Sequence, residues 1–515
     1  EEFSHSYPHC WRSKTPIVFR AVEQFFINID EIRGRALEEI AKTNWLPAWG
    51  QSRIHNTVEA RPDWCISRQR TWGVPLPVFQ KPDGEWIIDA DVARKVADIT
   101  ETEGTNAWFE LSDEEWATRL DLPEGTVKGR DTLDVWIDSG SSHVAVMDRH
   151  PELERPADIY IEATDQHRGW FQSSLMVSIA TNDAAPYKTV ITHGFVVDNS
   201  TGEKISKSGK KPINAKFFYD KYGADNLRLW VASVDYNDEV PFSVELFEQV
   251  VDAYRRIRNT LRVLLGNLSD FDASKDAVAP DQMTLIDRWI LERLHTVTSN
   301  CRQAFERYEF RKVYNELNQF CAVDLSSLYV DITKDRLYCD GVSSTRRRAT
   351  QTAMAQIAET LCRLLAPILS YTADEAWEEL GHAESVHLQL FPEPNPDFAS
   401  KEATQSVGSL LDVRGLIQKE IEAQRQAKVI ARNDEASVSL SAPQDHPVHK
   451  LSGDLEALTE FFIISKLTLA EGDAVVAKVT PSDAGKCGRC WRYVDTVGQN
   501  ADKPDLCARC DDAIA

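Results

Sequence analysis

One stretch, residues 157 to 200, constrains the fold of this 515-residue chain more than any other. It begins with an apolar run, DIYIEA, which is followed by a helical pattern from near Gln166 and by a second apolar run, YKTVITHGFVVD. A strand, a helix and a strand of this length and order predict a parallel sheet in a doubly wound α/β domain. Ligands of such sheets bind at the carboxyl ends of the strands, where the segments EATDQH and THGF lie.

Hydrophobic periodicity predicts two further units. Apolar residues recur at helical spacing from about Ser243, and no strand-like alternation interrupts the pattern, so residues 243–397 are predicted to form a helical bundle. Residues 398–478 combine a helical pattern with the alternating segment ASVSLSA, which predicts a small α+β unit. The predicted helices cover residues 29–42, 284–306, 311–328, 345–365 and 409–427.

Composition excludes several classes of protein. The sequence has no run of about 18 apolar residues and does not open with a charged segment followed by an apolar one. Neither a membrane span nor a secretory signal is therefore predicted, and we expect a cytoplasmic protein. The 58 Lys and Arg residues face 81 Asp and Glu residues, which gives a net charge of −23. This balance argues against a nucleic-acid partner, because phosphate repels negative charge, unless basic residues cluster locally.

Four of the ten cysteines form two CxxC pairs near the end of the chain. Four thiolates at this spacing can converge on one Zn²⁺ ion, and a tail this short and polar would gain most of its folding free energy from the metal. Two disulfides or four unrelated thiols are the alternatives. The predicted ligands of a single zinc ion are Cys487, Cys490, Cys507 and Cys510.

Basic and aromatic side chains surround these cysteines. Lys486, Arg489, Arg492 and Trp491 would suit contact with an RNA backbone or a stacked base. A basic surface that is merely solvated is the alternative, and the sequence leaves both open.

The segment EKISKSGKK follows the second strand and places Lys204, Ser206, Lys207 and Ser208 on a short polar loop. Two lysines three residues apart, with hydroxyl groups beside them, can bind a polyphosphate and neutralise charge that develops on it. A solvated basic loop is the alternative on spacing alone. A Walker loop is excluded, because the pattern GxxxxGK[ST] does not occur in the chain.

The loop carries a resemblance to a known family. KISKS resembles the KMSKS signature of class I aminoacyl-tRNA synthetases, with Ile205 in place of the usual methionine, and the phrases around it are similar to those of the isoleucyl-tRNA synthetases. Valyl and leucyl relatives share the loop, but the DVWIDSG phrase and the CxRCW…CxRC tail favour the isoleucyl branch. The resemblance covers nearly all of the chain. The matching phrases are DWCISRQRTWGVP (63–75), DTLDVWIDSGSSH (131–143), ADIYIEATDQHRGWFQSSL (157–175), VITHGFVVD (190–198) and KYGADNLRLWVAS (221–233).

The resemblance implies a domain order. Residues 1–45 would be the end of the family's editing insertion and the re-entry to the catalytic domain, and residues 46–242 the second half of that Rossmann-type domain. Residues 243–397 would be the helical anticodon-binding domain, followed by an α+β junction over 398–478 and a zinc module over 479–515. The HxGH signature of the family, which binds ATP from the other side, does not occur in these residues. The chain is therefore expected to be the C-terminal part of a longer synthetase and to be inactive alone.

The resemblance also implies roles for single residues. Glu162 would contact the aminoacyl-adenylate, Asp165 and Gln166 would approach its ribose and aminoacyl group, and His193 would lie near the adenosine. Lys207 would bind the ATP phosphates as a catalytic residue, with Lys204 assisting. Trp136 and Trp170 would wall the pocket for the aliphatic side chain, which gains mainly from dispersion and desolvation.

The implied reaction is ATP-dependent attachment of isoleucine to its tRNA through an isoleucyl-adenylate. The expected partners are tRNA(Ile), ATP with Mg²⁺ and L-isoleucine, and the full-length enzyme is expected to be a monomer. Local basic clusters at residues 204–216, 255–262 and 346–348 and in the zinc tail would reconcile the acidic charge with an RNA partner. The alternatives are a non-catalytic tRNA-binding protein built from the bundle and the zinc module, a valyl- or leucyl-type synthetase, and a phosphotransferase.

Overall fold

A computed structural model describes residues 5–10, 13–205, 214–451 and 453–514. The chain divides into two compact units. The first, here called the amino-terminal unit, comprises Glu1–Val196 and Tyr236–Val240, and the carboxy-terminal unit comprises Val197–Asp235 and Pro241–Ala515. The two units are described separately.

Short strands and helices alternate along the amino-terminal unit. In chain order they are β1 (Phe26–Ile27), α1 (Asp30–Lys42), β2 (Asn44–Leu46), α2 (Trp49–Glu59), β3 (Trp64–Cys65), β4 (Ser67–Arg68), β5 (Phe79–Gln80), β6 (Trp86–Ile87), α3 (Ala90–Glu103), α4 (Ala107–Glu110), α5 (Asp113–Leu120), β7 (Val127–Lys128), β8 (Thr132–Leu133), α6 (Val135–Gly140), α7 (Ser142–Ala145), β9 (Ala157–Ala163), α8 (Trp170–Asn182) and β10 (Tyr187–His193).

A parallel sheet with the order β2-β10-β9 forms the centre of this unit. Val190 in the middle strand lies opposite Tyr160 of β9 and Trp45 of β2, and all three are buried. Helix α8 is buried over most of its length, polar residues included, and packs into the same core through Phe171 and Leu175. The predicted strand, helix and strand with parallel pairing are therefore confirmed.

The predicted bounds differ in two places. Helix α8 begins at Trp170 rather than near Gln166, because a short 3-10 helix over Thr164–Arg168 intervenes and the Gln166 side chain accepts the Trp170 N–H at 2.9 Å. The second apolar run is not one strand, since β10 ends at His193. The Gly194 N–H then donates to the carbonyl of Tyr236 at 2.9 Å instead of continuing the sheet.

A second, smaller core lies in the segment between the motifs DWCISRQRTWGVP (63–75) and DTLDVWIDSGSSH (131–143). Strands β5, β6 and β7 form an antiparallel sheet, and helices α3 to α5 bury Trp108 and Trp116 against Phe79. The acidic residues of this part of the chain lie on the surface of a folded subdomain.

The carboxy-terminal unit is mainly helical. After β11 (Val196–Asp198), which begins at its border, its elements are α9 (Ala215–Tyr222), α10 (Ala224–Ser233), β12 (Val240–Phe242), α11 (Val244–Asn267), α12 (Ala273–Asp276), α13 (Leu285–Glu306), α14 (Phe310–Gln319), α15 (Asp331–Cys339), α16 (Thr345–Leu365), α17 (Ser370–Glu379), α18 (Lys401–Gln426), β13 (Ala436–Ala442), α19 (Pro447–Lys450), α20 (Leu455–Phe462), β14 (Lys466–Glu471), β15 (Val476–Pro481) and α21 (Ala508–Asp512).

The predicted helical bundle is confirmed. Helices α13 and α16 match the predicted spans to within one residue, and the apolar face of α11 is buried through Phe247, Ile257 and Leu261. The helix predicted over 311–328 begins as α14 and continues through a π-helical stretch, Phe320–Val330, into α15.

The predicted α+β unit is confirmed as well. The sheet has the order β14-β13-β15, and the alternation in β13 buries Val438 and Leu440 on one face. Helix α18 begins at Lys401, eight residues before the predicted start. Among the described residues, no helix combines the length and apolar character that a bilayer crossing requires.

Candidate functional site

Polar side chains gather at the carboxyl ends of β9 and β10, as the sequence predicts. The register places Glu162 opposite Thr192 and Ala163 opposite His193, and Asp165 and Gln166 follow on the 3-10 helix. Glu162 and Asp165 are exposed, whereas Gln166 and His193 are half-buried. This edge of the sheet therefore presents two carboxylates and an amide within five residues of chain, and an imidazole at the end of the neighbouring strand.

Trp170, the first residue of α8, is held in one orientation. Its indole stacks on the Tyr160 ring, with centroids 4.1 Å apart and planes 4° from parallel. The indole Nε1–H donates to the Ser139 carbonyl at 2.9 Å and to the Ser142 hydroxyl at 3.2 Å. A ring fixed by stacking and by two hydrogen bonds is a rigid apolar wall.

The Trp136 ring and the Gln166 side chain meet at Gly169, the residue directly before Trp170. A Cβ atom added to Gly169 would lie 2.4 Å from Gln166 Oε1 and 3.0 Å from the tip of the Trp136 ring. Any side chain at position 169 would displace one of the two groups. The structure thus brings together both predicted walls and the predicted amide at the start of α8.

Helix α6, which carries Trp136, packs closely on α8. A Cβ atom added to Gly140 would lie 2.8 Å from the Ser173 carbonyl oxygen, so the two helices can approach this closely only with glycine at position 140. This approach also brings the Ser139 carbonyl to the Trp170 indole. The close packing of α6 on α8 therefore explains the glycine of the DSGSS motif.

Sequence reasoning missed a buried carboxylate beside Trp136. Asp134 is 4% exposed and accepts hydrogen bonds from the Trp136 N–H, the Trp64 indole N–H and the Arg68 guanidinium. The sequence signal that could have identified it is an aspartate directly before a short helix, which is typical of an N-cap residue.

One of the two lysines of the KISKS loop lies among the described residues. Lys204 belongs to the carboxy-terminal unit and forms an isolated bridge with Val197, next to a turn in which the Asp198 carboxylate accepts the Ser200 and Thr201 N–H groups. Lys207 lies outside the described residues. The phosphate-binding role of both lysines stays a prediction.

The four predicted zinc ligands converge. The Sγ atoms of Cys487, Cys490, Cys507 and Cys510 all lie within 4.8 Å of one another, and Cys490 Sγ is 3.9 Å from Cys507 Sγ. A tetrahedral ion with Zn–S bonds of about 2.3 Å separates its sulfur atoms by about 3.8 Å. All four cysteines are free thiols, so the disulfide alternative is not realised.

The surroundings of these thiols also fit a zinc ion. Burial acts to raise the pKa of the Cys487 thiol, but N–H groups of Cys490, Cys507 and Arg489 outweigh it and lower the pKa to about 6. Burial raises the pKa of the Cys490 and Cys507 thiols, an effect that a bound cation would have to counter. The thiolate is the form that binds a metal. Few other apolar side chains pack around the cluster, chiefly Val494, Val497 and Leu506. The cluster is therefore a zinc centre by its donor set and geometry.

Arginines of the zinc module contact helix α15 of the bundle. Arg509 donates to the Asp335 carboxylate at 3.0 Å, and Arg492 lies 3.7 Å from the same group. Arg489 donates to the Cys339 carbonyl, and also to Cys510 Sγ at 3.5 Å. Part of the basic charge that was predicted to contact RNA is thus paired within the protein.

The same holds for the basic cluster at residues 346–348. Arg346 pairs with Asp340 at 3.0 Å, Arg347 with Asp270 at 2.8 Å and Arg348 with Asp276 at 3.5 Å. These side chains are only 12 to 26% exposed. They stabilise the start of α16 rather than forming an open cationic surface.

Comparison with known families agrees with this architecture. Residues 12–243 match the family described as tRNA synthetases class I (I, L, M and V), and residues 287–440 match the anticodon-binding domain of tRNA ligase. Residues 485–513 match the zinc finger found in FPG and IleRS. The chain therefore belongs to the class I aminoacyl-tRNA synthetases.

Its curated relatives specify the branch. The chain is 46% identical over 513 residues to the isoleucine–tRNA ligase of Methylacidiphilum infernorum and 44% identical over 534 residues to that of Syntrophotalea carbinolica. Each alignment covers 99% of this chain. The chain spans only 56% and 57% of the lengths of these two relatives.

Solved structures show the same fold at low identity. A Mycobacterium tuberculosis methionyl-tRNA synthetase bound by methionyl-adenylate is 14% identical with a TM-score of 0.52, covering 75% of this chain and 70% of that one. The Agrobacterium radiobacter K84 LeuRS in its ternary complex with tRNA and LeuAMS is 15% identical with a TM-score of 0.50, covering 81% and 51%.

Proposed function

We propose that the chain takes part in the ATP-dependent attachment of isoleucine to tRNA(Ile) through an isoleucyl-adenylate. The observation that carries the proposal is the grouping of Trp136, Gln166 and Trp170 around Gly169 at the carboxyl edge of a parallel sheet. The names of the curated relatives support isoleucine as the amino acid.

Each group has a chemical task in this proposal. The two indoles bind the aliphatic side chain, which gains only from apolar burial and dispersion. The Gln166 oxygen is engaged by the Trp170 N–H, so its amide N–H₂ group is the part that donates to the aminoacyl group. Glu162 and Asp165 accept hydrogen bonds from the adenylate, and His193 lies beside the adenosine.

Catalysis would consist of positioning and charge stabilisation. Lys207, assisted by Lys204, would neutralise the ATP phosphates together with Mg²⁺. Since these 515 residues contain no HxGH pattern, we propose that activity requires an ATP-binding element outside them. The helical bundle and the zinc module would bind the tRNA. The proposed domains are residues 1–45, 46–242, 243–397, 398–478 and 479–515.

ATP–pyrophosphate exchange in the full-length protein tests the proposal. Isoleucine should support exchange, and Trp136→Ala should raise the isoleucine KM about 10- to 100-fold, because an apolar wall of this size contributes about 1.5 to 3 kcal/mol. Trp72→Ala is the control, since Trp72 is 90% exposed and lies outside the group. Exchange with valine or leucine but not isoleucine would refute the substrate. Binding of tRNA without any exchange would favour the non-catalytic alternative.

A further inference from the structure

We propose that Asp134 is a positioning residue that sets the place of Trp136 and thereby the fit of the amino-acid side chain. The proposal rests on the proposed function only in treating Trp136 as a pocket wall. Its structural part, that Asp134 fixes the indole, stands on the contacts of these two residues.

Three donors converge on the buried carboxylate. Asp134 Oδ1 accepts the Trp136 N–H at 3.3 Å, and Oδ2 accepts the Trp64 Nε1–H at 3.1 Å and Arg68 Nη2 at 2.9 Å. A buried charge is stable only when it is paired and hydrogen-bonded, as this one is. The side chain therefore has one favourable position, between α6 and the β3–β4 segment.

The partners of Asp134 are themselves fixed. Arg68 also donates to the carbonyls of Cys65 and Ser67, at 2.9 and 2.8 Å. The Asp134 N–H donates to the Ile66 carbonyl at 2.7 Å. Strand β4 pairs with β8, the strand that ends next to Asp134. Backbone and side chain of Asp134 are thus held by the same segment, the DWCISR phrase of the sequence.

Helix α6 depends on this anchor. It is six residues long, and a helix of this length does not hold its own shape in water. Asp134 supplies its N-cap, while at its other end Ser139 accepts the Trp170 indole N–H and Gly140 packs on Ser173. One short helix thus carries one indole and fixes the other. Releasing its N-terminus would change the distance between the two walls.

Two variants separate the contacts of Asp134. Asp134→Asn can still accept the Trp136 N–H but turns an amide donor toward Trp64 and Arg68, which are donors too. Asp134→Ala removes all three hydrogen bonds. Asp138→Asn is the matched control, because it removes a carboxylate from the same helix that takes no part in the three hydrogen bonds of Asp134. Arg68→Lys keeps a positive charge but loses the fixed geometry of the guanidinium.

Fluorine NMR of protein labelled with 5-fluorotryptophan tests the structural part without a ligand. The Trp136 resonance is assigned with Trp136→Phe. It should shift or broaden in Asp134→Asn and Asp134→Ala and stay in place in Asp138→Asn, while the buried Trp45 of the central sheet reports an intact fold. An unmoved Trp136 resonance in folded Asp134→Asn protein would overturn the proposal. If neither Asp134 variant folds, Arg68→Lys decides by the same criterion.

Pyrophosphate exchange in the full-length protein tests the consequence for selectivity. The Asp134 variants should raise the isoleucine KM about 10- to 100-fold with a smaller change in kcat, because a wall displaced by about 1 Å weakens side-chain binding. The preference for isoleucine over valine should fall in parallel. Unchanged KM and preference, with a shifted Trp136 resonance, would refute the role in selectivity. Absence of isoleucine-dependent exchange in the unsubstituted protein would instead refute the proposed function.

Discussion

At the scale of single residues, the environment of His167 is the least expected feature of the candidate site. The residue directly after Gln166 is fully buried, and its ring lies against Trp45, Trp49 and Phe171. Its Nδ1 atom bonds the Thr164 carbonyl at 3.0 Å. Burial lowers the pKa of His167, and the nearby Arg53 adds to this effect. The imidazole is therefore neutral at pH 7 in the folded protein. Its hydrogen bond with Thr164 joins the two ends of one turn of the 3-10 helix.

The lowered pKa predicts a loss of stability in acid. The unfolded chain binds a proton at His167 near pH 6.5, whereas the folded chain does so only at lower pH. Below about pH 6.5 the unfolded state thus holds more protons, and the free energy of unfolding falls as the pH decreases. His167→Gln should therefore lose less stability between pH 7 and pH 5 than the unsubstituted protein.

Urea unfolding followed by tryptophan fluorescence at pH 7, 6 and 5 measures this difference. His55→Gln is the control, because His55 has a side chain that is 43% exposed. Carboxylates contribute to the acid sensitivity of all three proteins equally. The same pH dependence in His167→Gln as in the unsubstituted protein would contradict the assignment of a buried neutral imidazole.

At the scale of elements, helix α15 connects three parts of the carboxy-terminal unit. Its Arg336, which is 2% exposed, pairs with Asp287 of α13 at 3.3 Å and with Glu460 of α20 at 2.6 Å. Asp335 of the same helix pairs with Arg509 of the zinc module. Arg336, Asp287 and Glu460 are buried and Asp335 and Arg509 are half-buried, so each charge depends on its partner. A change at the Asp335 pair is therefore expected to affect the rest of the helix.

Loss of the metal should therefore destabilise the end of α15. Cys487→Ser and Cys507→Ser should lower the zinc content, which elemental mass spectrometry measures. Both variants should also raise the rate of amide hydrogen exchange in residues 485–513 and at the end of α15. Cys339→Ser is the control, since Cys339 lies next to the module but is not one of the four converging thiols. Unchanged zinc content in both ligand variants would contradict the zinc assignment.

Periodicity predicted some helix bounds well and others poorly, for physical reasons. The spans of α13 and α16 were predicted to within one residue because their apolar residues recur every three to four positions. The start of α18 was missed because its first turns bury only Ala403 and Val407. The start of α8 was missed because one side chain, Gln166, binds the backbone locally, which a periodic pattern cannot reveal.

At the scale of the whole molecule, the fold class and the convergence of the four thiols followed from the sequence. Spacing alone was enough for the thiols, because two CxxC pairs have few other arrangements. The grouping of Trp136 with Trp170 was suggested by a family resemblance and not by spacing. The role of Asp134 required the structure, since Trp64 and Arg68 lie 70 and 66 residues away in the sequence. The net charge is −23, and the arginines of the cluster at residues 346–348 are paired with nearby aspartates. This basic cluster in the sequence is therefore not a basic surface in the folded chain.

The position of β9 in its sheet has a consequence for the behaviour of the protein in solution. Among the described residues, β9 lies at the edge of the sheet, and Ile159 and Ile161 are 38% and 54% exposed. An edge strand with unpaired N–H and C=O groups and apolar side chains is a template for strand addition by another molecule.

Concentration-dependent self-association is therefore expected of the 515-residue chain by itself, in contrast to the monomer expected of the full-length enzyme. Ile161→Lys should reduce it, because a charge at an edge disfavours pairing between copies. Sedimentation velocity over a range of protein concentrations measures the effect. Ile88→Lys, at a site 70% exposed and away from this edge, is the control. Equal self-association of the two variants would show that the molecules associate through another surface.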